Sequence, residues 1–146
     1  MKKILKNSKF LFVGAIVLGI FSVSWSIRIR CQSVYSDLIS DEQTIEAFYR
    51  GDAESIIAAS NSKNLNYQKV VNGNIVYSSS QWLPKPDIIT YQRKITDGVI
   101  YPSTMDILKT RQYYKIFKGP ALYIMVPICT KVCDSEMYLV YKKAVL

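Results

Sequence analysis

Residues 10–27 read FLFVGAIVLGIFSVSWSI, a stretch of 18 residues without a charge. At about 1.5 Å of rise per residue, a helix of this length reaches roughly 27 Å, close to the thickness of the hydrocarbon core of a bilayer. Trp25 lies near the outer end, where an indole ring prefers the headgroup region, and the Arg28 side chain can extend to the lipid surface. The stretch predicts a transmembrane helix, and the organisation of the whole chain follows from it.

The net charge of the chain is concentrated around this segment. The 146 residues include 19 Lys and Arg and 11 Asp and Glu, which gives a formal net charge of +8. The first 30 positions hold six basic residues and no acidic one, namely Lys2, Lys3, Lys6, Lys9, Arg28 and Arg30. From Cys31 onward, 13 basic residues face all 11 acidic ones, a net charge of only +2. A basic excess that brackets an apolar run is typical of a membrane protein and argues against a nucleic-acid partner.

A Lys-rich start followed by an apolar core also opens a secretory signal peptide. Here the core is longer than in most signal peptides, no Ala-x-Ala site follows, and Arg28 and Arg30 come directly afterwards, so we expect a retained anchor. Four lysines and the α-amino group precede the span, whereas two arginines follow it, which keeps the N-terminus cytoplasmic. The sequence therefore predicts a single-pass protein of the inner (cytoplasmic) membrane with its C-terminal domain in the periplasm.

Beyond the span, spacing predicts helices first and strands later. Ile27, Cys31, Val34 and Leu38 are four, three and four residues apart, so one apolar stripe continues the membrane helix outward. We expect a cytoplasmic start over residues 1–9, the transmembrane helix over 10–27, a helical stalk over 28–40 and one periplasmic α+β domain over 41–146.

Two short helices are expected at the start of that domain. Ser40 and Gln43 form a capping-box pattern that opens a helix over 41–50, with Gly51 as its stop, and Asp52 can cap a helix over 53–60. The polar run 61–64 ends the second helix. The core-facing residues expected on the two helices are Ile45, Phe48, Tyr49, Ile56 and Ile57.

The remainder predicts a twisted antiparallel sheet. Asn72-Gly73 is a strong hairpin signal because both residues tolerate positive φ, and Thr96-Asp97-Gly98 is a slightly weaker one. Residues 82–86 are expected to form a loop and residues 103–111 a short helix. The nearly all-apolar run 121–128 is expected to be a buried, central strand, and the last strand, over 136–145, a half-exposed one. The seven expected strands span residues 67–71, 74–79, 88–95, 99–101, 113–117, 121–129 and 136–145.

The three cysteines suit an exported domain. Cys129 and Cys133 bracket three residues between the last two strands, and in an oxidising compartment we expect them to form a disulfide, which is worth about 2 kcal/mol in the chain-entropy model. Two reduced thiols are the alternative. Cys31 is left over, and a free thiol, a bond to a second chain and a bond to a hairpin cysteine all stay open.

Catalytic chemistry is not expected. The chain has no histidine, which excludes Ser-His-Asp and Cys-His machinery and His-ligated metals, and no phosphate loop or metal-ligand spacing occurs. We therefore expect no enzyme activity, no metal and no cofactor. The chain has 11 tyrosines, which suit strands and also ligand pockets or partner surfaces. The candidates for such a surface are Tyr77, Tyr91, Tyr101, Tyr114 and Tyr123.

Small residues in the membrane segment offer a second type of contact. Ala15 and Gly19 form a small-xxx-small pair, and Ser22 continues it toward the outer end. Such residues let helix backbones approach closely, which predicts packing against the helix of another membrane protein.

The order of elements resembles that of exported sensory modules of the Cache or PAS-like class. The helix pair 41–51 and 52–59, the hairpin VVNGNIVYSS over 70–79 and the run 121–127 carry the resemblance. It implies an open sheet with helices. The hairpin over 88–101 is extra to that pattern, and we expect no histidine-kinase, cyclase or chemotaxis output after Leu146.

The architecture is also similar to that of the small periplasmic accessory proteins of membrane-bound transcription activators, of the ToxS, TcpH and PsaF/MyfF kind. This resemblance implies a regulatory protein that binds, stabilises or gates a single-pass membrane partner controlling fimbrial or virulence genes. In some members it also implies binding of a host-derived signal and a lipocalin-like barrel. For this chain we expect a small apolar or amphipathic ligand between the sheet and the helices. A structural subunit of a secretion or pilus assembly complex is the competing hypothesis.

The expected topology can be tested by protease digestion. The intact, unprocessed chain should sediment with membranes, and protease added to whole spheroplasts should remove the C-terminal domain, because only the first nine residues are expected inside the cell. Recovery from the soluble cytosol, or a C-terminus that survives digestion, would contradict the topology.

Overall fold

The fold is α+β, with a long N-terminal helix and a curled, half-barrel sheet of five antiparallel strands. The computed structural model describes residues 2–84, 113–132 and 135–145. The expected strands over 88–95 and 99–101, the helix over 103–111 and part of the loop over 82–86 lie outside these residues. The described elements are α1 (Lys2–Ser40), α2 (Glu42–Arg50), α3 (Ala53–Lys63), β1 (Leu65–Val71), β2 (Asn74–Ser78), β3 (Tyr114–Lys118), β4 (Ala121–Cys129) and β5 (Glu136–Val145).

Helix α1 runs without a break through the apolar segment and into the domain. It is long and apolar enough to cross a membrane, with a mean hydropathy of 2.2 over an 18-residue window that is 0% buried. Further along the same helix, Cys31, Tyr35 and Leu38 are at most 4% exposed and belong to the main core. The expected apolar stripe is present. The outer turns of α1, which carry it, pack into the domain core instead of standing free as a stalk.

Helices α2 and α3 are capped by aspartates. The Asp41 carboxylate accepts hydrogen bonds from the Thr44 backbone N–H at 3.3 Å and from the Thr44 hydroxyl at 2.7 Å. Asp41 is therefore the N-cap of α2, and the expected capping by Ser40 is wrong, because the Ser40 hydroxyl donates to the Ser36 carbonyl at 2.7 Å. Burial opposes ionisation of Asp41, yet the hydrogen bonds from Thr44, together with the hydrogen bond and charge of Lys63, outweigh it and lower the carboxyl pKa.

The second helix is longer than expected. Asp52 caps it as expected, accepting from the Ser55 N–H at 3.2 Å. It continues to Lys63 because the polar run 61–63 is solvent-exposed and can complete a further turn, and Asn64 ends it in the left-handed region at φ 53°.

The sheet order is β2-β1-β5-β4-β3, with every pair antiparallel. Asn72 and Gly73 have φ of 48° and 79°, which confirms the expected turn between β1 and β2. Strand β4 is an interior strand and mostly buried, which confirms the expected burial. The half-exposed position expected for the last strand is wrong: β5 lies between β1 and β4, and residues 138–141 are all buried. Its alternation of tyrosine with aliphatic residues fits two covered faces rather than one.

Alternate residues of the strands divide between two cores. On one face, Ile124 and Val140 pack with the outer turns of α1 and with Phe48 and Ile56 of the short helices. On the other face, Val70, Met125, Leu139 and Tyr141 pack with Leu83 from the segment after β2. The sheet is thus buried on both sides at its centre.

The two neighbouring isoleucines of α3 provide a matched test of this packing. Ile56 is 2% exposed, whereas Ile57 is 52% exposed and does not belong to the core face to which its spacing assigned it. Ile56→Ala should lower the free energy of unfolding by about 2–5 kcal/mol, because it leaves a cavity in the main core. Ile57→Ala should change it by less than about 0.5 kcal/mol. Denaturant titration of the full chain in detergent measures both, and equal losses would contradict the assignment.

Candidate functional site

The expected site residues separate into three places in the described part of the chain. Gly19 lies in a cleft beside β3, Tyr77 lines a cavity under α3, and Tyr114 and Tyr123 lie near the second core. Tyr91 and Tyr101 lie outside the described residues. The three described tyrosines therefore do not form one surface.

The first place is a cleft between α1 and the edge strand β3, with a volume of about 610 Å³. Helix α1 forms its wall with one apolar face, and Lys115 and Phe117 of β3 form the opposite wall. Phe117 is 72% exposed although it is a large apolar residue. The α1 residues in the cleft are Ile16, Gly19, Ile20, Val23, Ser24 and Ile27.

Only one of the three small residues expected to pack on a partner helix lies in this cleft. Gly19 lines it, and a Cβ added there would meet nothing within 4 Å, so the backbone is open to close approach. Ala15 and Ser22 are exposed on α1 but do not line it, and Ser24 supplies the second small residue instead. Spacing along the helix identified Gly19, but only the position of β3 decides which face of α1 lines the cleft.

The second place is a polar network buried at the centre of the sheet. Gln68 and Tyr141 are both 0% exposed, and the Tyr141 hydroxyl donates to Gln68 Oε1 at 2.7 Å. Gln68 Nε2 donates to the Pro84 carbonyl at 3.0 Å and to Ser78 Oγ at 3.2 Å. Burial raises the pKa of Tyr141 well above its ordinary value, so its hydroxyl remains a donor at any physiological pH.

Aromatic rings cover this network on its outer side. The centroid of the Trp82 ring lies 4.5 Å from that of Tyr123 and 6.2 Å from that of Tyr141, and Lys118 Nζ lies 4.6 Å above the indole. The last contact has the geometry of a cation–π interaction. Sequence reasoning identified Tyr123 but missed Gln68, Tyr141 and Trp82. For Gln68 a signal was available, because it is a polar residue in a strand whose other face is apolar.

The third place is a cavity of about 380 Å³ between α3 and the β1–β2 hairpin. Tyr67 and Tyr77 stand at one side, with ring centroids 5.4 Å apart. Burial and a hydrogen bond with Tyr77 raise the pKa of Tyr67 to about 12. Sequence reasoning selected Tyr77 and missed the polar residues of α3 that complete the lining.

The cysteines lie elsewhere. Cys31 is a free thiol, 0% exposed, and burial raises its pKa, against the opposing charge of Lys115. A buried, protonated thiol is a poor nucleophile. Cys129 ends β4 and is buried, but Cys133 lies outside the described residues, so the disulfide between them stays a prediction.

None of the three places has the chemistry of a metal site. Over residues 2–84, 113–132 and 135–145, no group of three or more acidic, cysteine or histidine side chains could hold a metal ion. The cleft is lined mainly by apolar residues, and the cavity by hydroxyl, amide and aromatic ones. These arrangements can hold a helix or a small molecule by packing and hydrogen bonding.

Comparison with known proteins gives no relative. No family model, no curated protein and no solved structure matches the chain.

The central hydrogen bond can be tested through stability. Tyr141→Phe leaves Gln68 Oε1 buried without its donor and should lower the free energy of unfolding by about 1–3 kcal/mol. Tyr123→Phe, on a half-buried ring of the same face, should cost less than about 0.5 kcal/mol. Denaturant titration of the full chain compares the two variants. A Tyr141→Phe protein as stable as the Tyr123→Phe protein would contradict the structural role of the network.

Proposed function

We propose that the chain is a membrane-anchored accessory protein that binds a partner membrane protein and stabilises or gates it from outside the cytoplasm. The observation that carries the proposal is the continuity of α1: the helix that is apolar enough to cross a membrane also contributes Cys31, Tyr35 and Leu38 to the domain core. A displacement of the domain is therefore transmitted along one rigid helix. This geometry suits regulation through a partner rather than a flexible tether.

The partner site is the cleft between α1 and β3, and its occupant is a transmembrane helix with the residues that follow it. The cleft begins at Ile16 and ends at Ile27, so it lies along the apolar, exposed part of α1. Gly19 and Ser24 permit the close backbone approach on which helix association in lipid depends. On the opposite wall, Phe117 offers the partner an apolar contact and Lys115 offers it a cation.

We further propose a Cache- or PAS-like open sheet rather than a closed lipocalin-like barrel. The support is the helical cover of one sheet face, where α2, α3 and the outer turns of α1 bury Ile124 and Val140. In a barrel the corresponding strand faces enclose an interior that other strands or a ligand fill.

The partner contact can be tested with a photo-crosslinking amino acid in place of Ile20, which lies in the cleft. In native membranes it should crosslink to one other single-pass protein. Gly19→Leu should abolish the crosslink, because the new side chain fills the close-approach face. Gly14→Leu is the matched control: Gly14 is equally open on α1 but does not line the cleft, so the crosslink should survive.

A second measurement addresses the regulatory role. Deletion of the chain should shorten the half-life of the crosslinked partner or change its activity, and the Gly19→Leu variant should reproduce the effect. Crosslinks to lipid alone or to a second copy of this chain would contradict the proposal, as would an unaffected partner. Purification in mild detergent as one large multi-subunit complex would instead favour a structural subunit of a secretion or pilus assembly machine.

A further inference from the structure

The cavity between α3 and the β1–β2 hairpin has the composition of a binding site for an uncharged polar molecule. Its volume of about 380 Å³ lies at the lower end of the range of about 300–1,000 Å³ for small-molecule pockets. The polar residues that line it are Ser60, Asn61, Asn64, Asn66, Tyr67, Tyr77 and Ser79. Among the residues that the structure describes, no Asp, Glu, Lys or Arg lines it.

An unpaired buried hydroxyl marks the floor of the cavity. Ser60 is 6% exposed, and its Oγ has no hydrogen-bond partner in the described structure. Leaving such a group unpaired costs about 1–3 kcal/mol, so native structures rarely retain one without a reason. Ser62, two residues later on the same helix, is exposed and still donates to the Ala59 carbonyl at 3.1 Å. Ser60 is thus a hydroxyl held against the cavity without a protein partner.

The tyrosines supply a wall that is both apolar and hydrogen-bonding. The rings of Tyr67 and Tyr77 are inclined by 31° to each other, and Phe48 packs edge-on against Tyr67 at 5.6 Å. Phe48 is fully buried, so the ring of Tyr67 is fixed from behind. Tyr67 is 9% exposed, whereas Tyr77 is 51% exposed, so Tyr77 presents the ring face that can cover the C–H face of a bound molecule.

The lining restricts the chemical class of the ligand. A carboxylate, phosphate or ammonium group would be desolvated in the cavity without a compensating charge, which is unfavourable. Hydroxyl and amide side chains both donate and accept hydrogen bonds, as ligand hydroxyls do. We propose that this cavity binds a neutral, hydroxyl-rich small molecule of the sugar class, with Ser60 as a hydrogen-bond partner and the Tyr67–Tyr77 wall as the stacking surface.

This site goes beyond the proposed function, because it lies under α3 and not in the cleft that the partner helix would occupy. The polar lining also favours a different kind of ligand from the small apolar or amphipathic one that the sequence analysis expects. Failure of partner binding would leave this inference intact, and failure of sugar binding would leave the partner site intact.

The experiment is a binding measurement on the full chain in lipid nanodiscs by saturation-transfer NMR and titration. The probes are glucose and N-acetylglucosamine, with glucuronate as the charged counterpart of glucose. We expect binding of a neutral probe and none of glucuronate. Ser60→Ala should weaken that binding about tenfold or more, because one hydrogen bond to a buried group is lost. Ser62→Ala should leave the binding unchanged.

Stability measurements separate a binding role of Ser60 from a structural one. Because its hydroxyl has no protein partner, Ser60→Ala should not lower the Tm of the ligand-free chain. Tyr77→Leu should also weaken binding by removing the ring from the half-exposed β2 strand. Failure of both neutral probes to bind, preference for glucuronate, or equal affinity of the Ser60→Ala variant would each overturn the proposal.

Discussion

The rest of the structure depends on one continuous helix that is apolar over residues 10–27 and packs into the domain core from Cys31 onward. The inner part of α1 is apolar on every side, as a segment in lipid requires, whereas its outer turns bury one stripe, including Tyr35 and Leu38, against the sheet. Because α1 is continuous, the position of the sheet relative to the apolar segment is fixed by helix geometry. The cleft beside β3 exists for this reason: the edge strand is held next to the helix and leaves Phe117 exposed.

The two sheet faces are built with different chemistry. The helix-covered face is held by Phe48, Tyr67 and Tyr138, whose rings lie 5.3–6.0 Å apart, together with aliphatic residues of β4. Burial raises the pKa of Tyr138 as well, so these hydroxyls remain neutral. The opposite face contains the Tyr141–Gln68 hydrogen bond. A buried amide must satisfy its donors and its acceptor, and these partners fix the segment through Pro84 against the sheet.

The two proposed sites divide between these features. The cleft depends on α1 and the sheet edge, and its chemistry is apolar packing with a small-residue face. The cavity depends on α3 and the first hairpin, and its chemistry is neutral hydrogen bonding. Helix α2 links the two regions, since it packs both on α3, which lines the cavity, and on α1, which lines the cleft. Neither site uses a charged side chain as its centre, which agrees with a chain whose basic excess lies around the apolar segment.

The sequence by itself determined the local features, because they depend on residues close together in the chain. These features are the uncharged run 10–27, the Asn72-Gly73 turn, the Asp52 cap and the bounds of β4 and β5. Tertiary structure decided what depends on neighbours distant in sequence. The alternating pattern of β5 was compatible with an edge or a centre, and only its pairing with both β1 and β4 placed it in the middle. Likewise Ile56 and Ile57 are equally apolar, and Gly19 and Ala15 are both small. Only the elements packed beside them decide which isoleucine is buried and which small residue lines the cleft.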